Sequence, residues 1–154
     1  MFDLIGIWSI SLVFLITLLL ALQSPRVAKI LFVALVVRVI FLIINNYIIP
    51  LPDSTADAET FEIIASRLSK DGFFNLLTYF KGPDAQFISW LIAIPYSIFG
   101  RSIVMAQSIS LLFGIGSIFL GWKIAKLIWD ENTANKVGWV IALFPSLILY
   151  SVLI

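Results

Sequence analysis

Apolar and polar positions along this chain fall in blocks rather than alternating. Residues 4–22 carry no charge and approach the roughly 20 apolar residues that a helix needs to cross a bilayer. "QSPRVAK", residues 23–29, is a short polar break, and 28–49 is a second apolar run, stopped by Pro50 and Pro52. A polar stretch follows over 51–86. Beyond it lie apolar runs at 87–99, 103–129 and 137–154, separated by the tight turn "FGRS" and the polar turn "DENTANK". The pattern predicts an all-α, polytopic membrane protein in one helical module, with spans at about 4–22, 28–49, 87–99, 103–129 and 137–154.

The polar stretch 51–86 holds six acids and three bases, and part of it has helical periodicity. Over 57–70, Ala58, Phe61, Ile64, Ala65 and Leu68 share one face, while Glu62, Ser66, Ser69 and Lys70 lie elsewhere. This predicts an amphipathic juxtamembrane helix, closed by "KDGF" with a cation followed by a C′ glycine. "FFNLLTYF", residues 73–80, suits a segment lying at the membrane interface. The run 87–99 is short and contains Pro95, so it either crosses at a tilt or dips in and returns.

Composition agrees with the pattern: 61% of residues are hydrophobic and 12% charged, and the mean hydropathy is +1.08. Ordinary soluble domains stay near half apolar. No Cys or His is present, which excludes disulfides, thiol catalysis and Cys/His zinc sites. A net charge of +1 with no long basic patch argues against a nucleic-acid partner. The amino-terminal region carries Asp3 and no cation, unlike a signal peptide.

The 23–29 break has two cations and no acid, so the positive-inside rule places it in the cytoplasm. The acidic stretch 51–86 is then extracytoplasmic. Lys123 and Lys126 fall outside if 87–99 crosses, and inside if it only dips.

Asp53, Asp57, Glu59 and Glu62 crowd one short stretch, and two readings apply. "STAD", residues 54–57, resembles a capping box, and acids suit the first turn of a helix. Alternatively, a carboxylate at a membrane surface accepts a proton from a hydroxyl or helps hold an ion. Arg38 lies about ten residues from either end of its span, where a lone arginine costs roughly 2.5–3.5 kcal/mol on insertion scales. It contacts either a substrate phosphate or carboxylate, or carbonyls and hydroxyls of a neighbouring helix. Tyr79 is either an interface anchor or a sugar platform. Lys81, Arg67 and Arg101 are interfacial anchors.

"LPDSTADAETFEIIASRLSKDGF", following an apolar helix, resembles the first external loop of membrane glycosyltransferases of the GT-C fold, the fold of protein mannosyltransferases and lipid A aminoarabinose transferases. "WLIAIPYSIFGRSIVMAQSISLLFGIGSIFLGWKIAKLIW" resembles that family's "P-x-Y…FG" turn and long helix, and "ALFPSLILYS" its next helix. The resemblance covers 28–154 and corresponds to the amino-terminal third of such an enzyme. It implies transfer of a sugar from a polyprenyl-phosphate donor on the extracytoplasmic face of a plasma or inner membrane. Asp57 matches the family's loop aspartate, with Phe61 in the aromatic position; Asp53 is the second choice. Arg38 and Tyr79, on the functional side of the alternatives given above, are the candidate substrate contacts. The family's second acidic residue follows the "FPS…YS" helix, so its equivalent falls past Ile154. The expectation is a portion of a larger bundle that does not transfer sugar alone. Any divalent cation would be held by oxygen ligands. The other functional classes are a non-enzymatic membrane subunit or scaffold, partnered by the remainder of the bundle or another subunit, and a transporter segment with Arg38 in its path.

Overall fold

The computed structural model describes residues 3–52, 57–80 and 82–154. Every regular element among them is helical: α1 (Leu4–Gln23), α2 (Pro25–Tyr47), α3 (Asp57–Leu68), α4 (Phe73–Thr78), α5 (Phe87–Phe99), α6 (Ile103–Ile128), α7 (Glu131–Leu143) and α8 (Pro145–Tyr150). Of these, α1, α2 and α6 are long and apolar enough to cross a membrane.

Local chemistry sets the helix ends. Asp3 Oδ1 accepts from the Gly6 N–H at 2.9 Å and caps α1. Ser102 Oγ accepts from Met105 N at 3.1 Å and caps α6. Asp130 Oδ1 accepts from Thr133 N at 2.6 Å and caps α7. Such caps satisfy amides that have no partner within the helix. The break predicted over 23–29 contracts to Ser24, because Pro25 occupies the first position of α2, where proline is well tolerated. The turn predicted over 130–136 is instead the opening of α7, because Asp130 starts the helix earlier than apolar periodicity indicates. The last apolar run is interrupted at Phe144, whose ψ of 120° precedes Pro145 at the start of α8. Gly72 and Gly100 take φ of 83° and 92°, which lets the chain turn sharply after α3 and α5.

Helices α1, α2, α6 and α7–α8 form a bundle around Leu31, Ala34, Leu42, Leu111, Ile115 and Ile118, each nearly inaccessible. Helices α3, α4 and α5 pack on one another across one end of it, around Ala65, Leu76, Ala93 and Met105. The two ends of the bundle are well marked. At one end Ser102 donates to Asp3 Oδ2 at 2.5 Å, so α1 and α6 begin side by side. At the other, Arg26 pairs with Glu131, and Lys126 Nζ lies 3.5 Å from the same carboxylate. There the Trp122 indole also donates to Asn135 Oδ1 at 2.8 Å.

The 13 residues of α5 rise about 20 Å, against about 30 Å of hydrocarbon. Helix α2 ends and α6 begins at the same end of the bundle. Lys123 and Lys126 therefore share an end with Arg26 and Lys29.

Candidate functional site

A cleft of about 400 Å³ with mixed polar and apolar walls lies between α3 and the ends of α2 and α6. Its walls include Asn45, Asn46, Glu59, Glu62, Arg101 and Gln107. Asn46 Nδ2 donates to Gln107 Oε1 at 2.7 Å and to the Leu42 carbonyl at 2.9 Å, so two amides from separate apolar helices satisfy each other. Asn45 Oδ1 accepts from Leu51 N at 2.8 Å and secures the chain as it leaves α2.

One carboxylate holds α3 in place. Ala58, Glu62 and Ala65 face inward, with Glu62 only 4% exposed. The sequence reading placed Glu62 off the packed face, as a solvated residue, and the structure corrects this. Arg101 donates to Glu62 through Nε at 2.8 Å and Nη2 at 2.7 Å, and Tyr96 OH lies 3.1 Å from Oε1. A buried carboxylate with three donors is a satisfied group. Arg101 is likewise more than an interfacial anchor. Hydrogen bonding to Glu62, reinforced by charge attraction, holds its guanidinium above the usual arginine range. The sequence held a signal for this pairing: a single cation beside the glycine turn, and an acid four residues after the inward-facing Ala58.

Of the predicted site residues, Arg38 and Tyr79 have described side chains, and they stand in different parts of the fold. Asp57 is the first residue of α3, and its neighbours Ala58 and Glu59 line the cleft. Asp53, residues 54–56, Lys81 and the side chain of Asp57 lie outside the described residues.

Tyr79 stands at a separate groove of about 450 Å³ beside Phe80, Phe87 and Trp90. Phe80 and Trp90 pack with centroids 4.6 Å apart, and the Trp90 indole donates to the Leu76 carbonyl at 3.0 Å. A hydrogen bond to Asp71 raises the Tyr79 phenol above its ordinary pKa.

Arg38 is in the bundle interior, 1% exposed. Its Nε donates to Ser151 Oγ at 2.8 Å, and its Nη1 to the carbonyls of Ala142 at 2.9 Å and Ala34 at 3.3 Å. These carbonyl and hydroxyl partners are the structural alternative that the sequence left open.

Among the described residues, no three His, Cys, Asp or Glu side chains converge as a metal site would require. Glu59 and Glu62 are the described acids of the cleft, and both oxygens of Glu62 are taken. The cleft as described therefore does not fit a divalent ion. What it offers is a row of neutral amides beside one guanidinium, a set suited to hydroxyls and an anionic group. Comparison with protein-family models, curated protein sequences and solved structures gives no match in any of the three.

Proposed function

We propose that this chain is a multi-pass membrane module of the GT-C glycosyltransferase type, working on a polyprenyl-phosphate-linked sugar at the extracytoplasmic surface of a plasma or inner membrane. The single observation that carries the reading is the docking of α3. The helix that begins at Asp57 is pinned by Glu62 over the cleft at the bundle end remote from the Arg26–Glu131 turn. The orientation has its own support. Five of the ten cations, Arg26, Lys29, Lys123, Lys126 and Lys136, gather at or near the opposite end with only two acids, Asp130 and Glu131. The positive-inside rule assigns that end to the cytoplasm and the cleft to the other side.

In this reading a lipid-borne donor presents its phosphate and sugar at the depth of α3. The Asp57 carboxylate takes the proton from an acceptor hydroxyl. The hydroxyl oxygen bonds to the anomeric carbon as the bond from that carbon to phosphate oxygen breaks, and polyprenyl phosphate leaves with the electron pair. The Asn46 and Gln107 amides and the Arg101 guanidinium orient sugar and phosphate.

The test uses the longest natural form of the protein in vesicles. It is offered a panel of radiolabelled polyprenyl-phosphate hexoses and pentoses, and Asp57→Asn is compared with wild type. Transfer by wild type that falls at least about 100-fold in Asp57→Asn is the expected outcome, the size of a general-base contribution. Equal turnover removes Asp57 from the chemistry. No transfer from any donor removes the transferase reading and leaves a membrane subunit.

A further inference from the structure

The layer of α3, α4 and α5 carries a second concave surface, at the far end of α3 from the cleft. Leu68 lines it, whereas Ala58 and Glu59 line the cleft, roughly 14 Å of helix away. This groove holds about 450 Å³, within the range of roughly 300–1,000 Å³ usual for small-molecule sites. Tyr79 and Phe80 reach it from the end of α4, and Phe87 and Trp90 from the first turn of α5. Three of these rings are contiguous: Phe80 lies 4.6 Å from Trp90 and 6.3 Å from Phe87, centroid to centroid, and Phe87 lies 6.2 Å from Trp90. The Trp90 indole gives its N–H to the Leu76 carbonyl. An indole anchoring a helix at a bilayer surface typically keeps that polar end for the wet side. Here the donor is spent inside the protein, and the ring surface is what Trp90 presents.

Polar side chains edge the rings. Asp84 and Gln86 line the groove and are exposed. Their turn is held by its own bonds: Asp84 Oδ1 accepts from the Gln86 N–H at 2.9 Å, and the Asp84 N–H donates to the Gly82 carbonyl at 3.0 Å. The Tyr79 phenol is held by its hydrogen bond with Asp71.

We propose that this groove binds a saccharide, whose pyranose faces stack on the aromatic rings while Asp84 and Gln86 hydrogen-bond its hydroxyls. A pyranose matches both halves of the surface. Its C–H faces are apolar, and each hydroxyl donates and accepts, as a carboxylate beside an amide requires. A hydrocarbon chain matches the rings and leaves the carboxylate and amide unused. An anion meets the Asp84 carboxylate and the negative faces of the rings. An organic cation suits the rings and Asp84 but makes no use of Gln86. The proposal requires neither sugar transfer nor Asp57, so it stands or falls apart from the transferase reading.

The test uses the full chain in a polyoxyethylene-ether detergent, which carries neither a sugar nor an ammonium group. The probes are cellotriose, chitotriose, mannotriose and tetramethylammonium, titrated by saturation-transfer NMR. At least one trisaccharide is expected to saturate with a Kd of about 1 mM or tighter, with transfer strongest to its ring C–H protons. Tyr79→Ala and Gln86→Ala are each expected to weaken binding about 3- to 10-fold, the size of one ring contact or one hydrogen bond. Trp129→Ala, exposed at the opposite end of the bundle, is expected to leave it unchanged. No saturation by any trisaccharide up to about 20 mM overturns the proposal, as does binding that survives both groove substitutions. Equal weakening by all three substitutions overturns it too. Saturable binding of tetramethylammonium in place of the sugars also overturns it, and gives the groove to a cation.

Discussion

Glu62 and Arg101 are 39 positions apart in the chain and meet through two side-by-side hydrogen bonds of 2.8 and 2.7 Å. The pair is asymmetric: the Glu62 side chain is 5% exposed and that of Arg101 57%. Solvent reaches one partner and not the other, so losing each has a different cost.

Arg101→Met leaves a buried carboxylate with only Tyr96 as donor. Stranding a buried charge costs about 3–5 kcal/mol. Glu62→Gln leaves a cation that water can hydrate, and costs about 2 kcal/mol for a lost charged hydrogen bond. Thermal unfolding in detergent is expected to rank Arg101→Met below Glu62→Gln. Both variants should be cleaved faster by trypsin at Arg67, which is exposed on α3. Equal stability of the two would contradict the burial argument.

The α6 glycines separate by what a methyl group would meet. A Cβ at Gly114 would sit 2.6 Å from Ser151 Cβ and 3.3 Å from Arg38 Nε. A Cβ at Gly121 would press only the flexible end of Ile141, and one at Gly116 would meet nothing within 4 Å. Gly114→Ala is expected to lose about 1–3 kcal/mol through overpacking. Gly116→Ala is expected to gain up to about 1 kcal/mol of helix propensity, and Gly121→Ala to fall between. Chemical denaturation in mixed micelles measures the order.

Arg38→Met combines two effects of similar size. It removes a charge that costs about 2.5–3.5 kcal/mol to place at mid-depth. It also takes a donor from the Ala142 carbonyl, worth about 1–3 kcal/mol when buried. The expected net change in unfolding free energy is within about 2 kcal/mol, and the helices should stay associated by intramolecular crosslinking. Collapse of the bundle would show that Arg38 is a structural keystone.

Asp130 caps α7, and its hydrogen bonds from Thr133 hold the carboxyl below its ordinary value of 3.8. A lowered folded-state pKa gives stability that is full above the unfolded value and is lost as pH falls through the folded one. Protection of the first α7 amides from hydrogen exchange is therefore expected to weaken only below about pH 3.8. In Asp130→Asn, which keeps a side-chain acceptor, that weakening is expected to disappear.

Block patterning made the long helices legible, because the 4–22, 28–49 and 103–129 runs are continuous and close to membrane length. The carboxyl-terminal break was harder to place. It depends on Pro145, which has no N–H to donate to the Ile141 carbonyl and turns Phe144 out of the helical conformation. The cleft was less legible still. Periodicity scores a glutamate as polar and turns it to solvent, whereas Glu62 is turned inward by an arginine and a tyrosine far along the chain. Asn46 and Gln107 each look like lone polar residues in apolar runs, and only the fold brings the two amides together. The run 87–99 is too short to be read by length alone, and periodicity does not show that it packs chiefly against α3.

The link from Asp3 to Ser102 bears on how the chain is made. One carboxylate caps α1 through Gly6 and also grips the residue that caps α6. The first helix thus receives its finishing contact only after about a hundred further residues have been synthesised and placed. Until then its start is fastened on one side alone. Ribosome-bound intermediates stalled before α6 should therefore hold their amino termini loosely, and those stalled after it should hold them firmly.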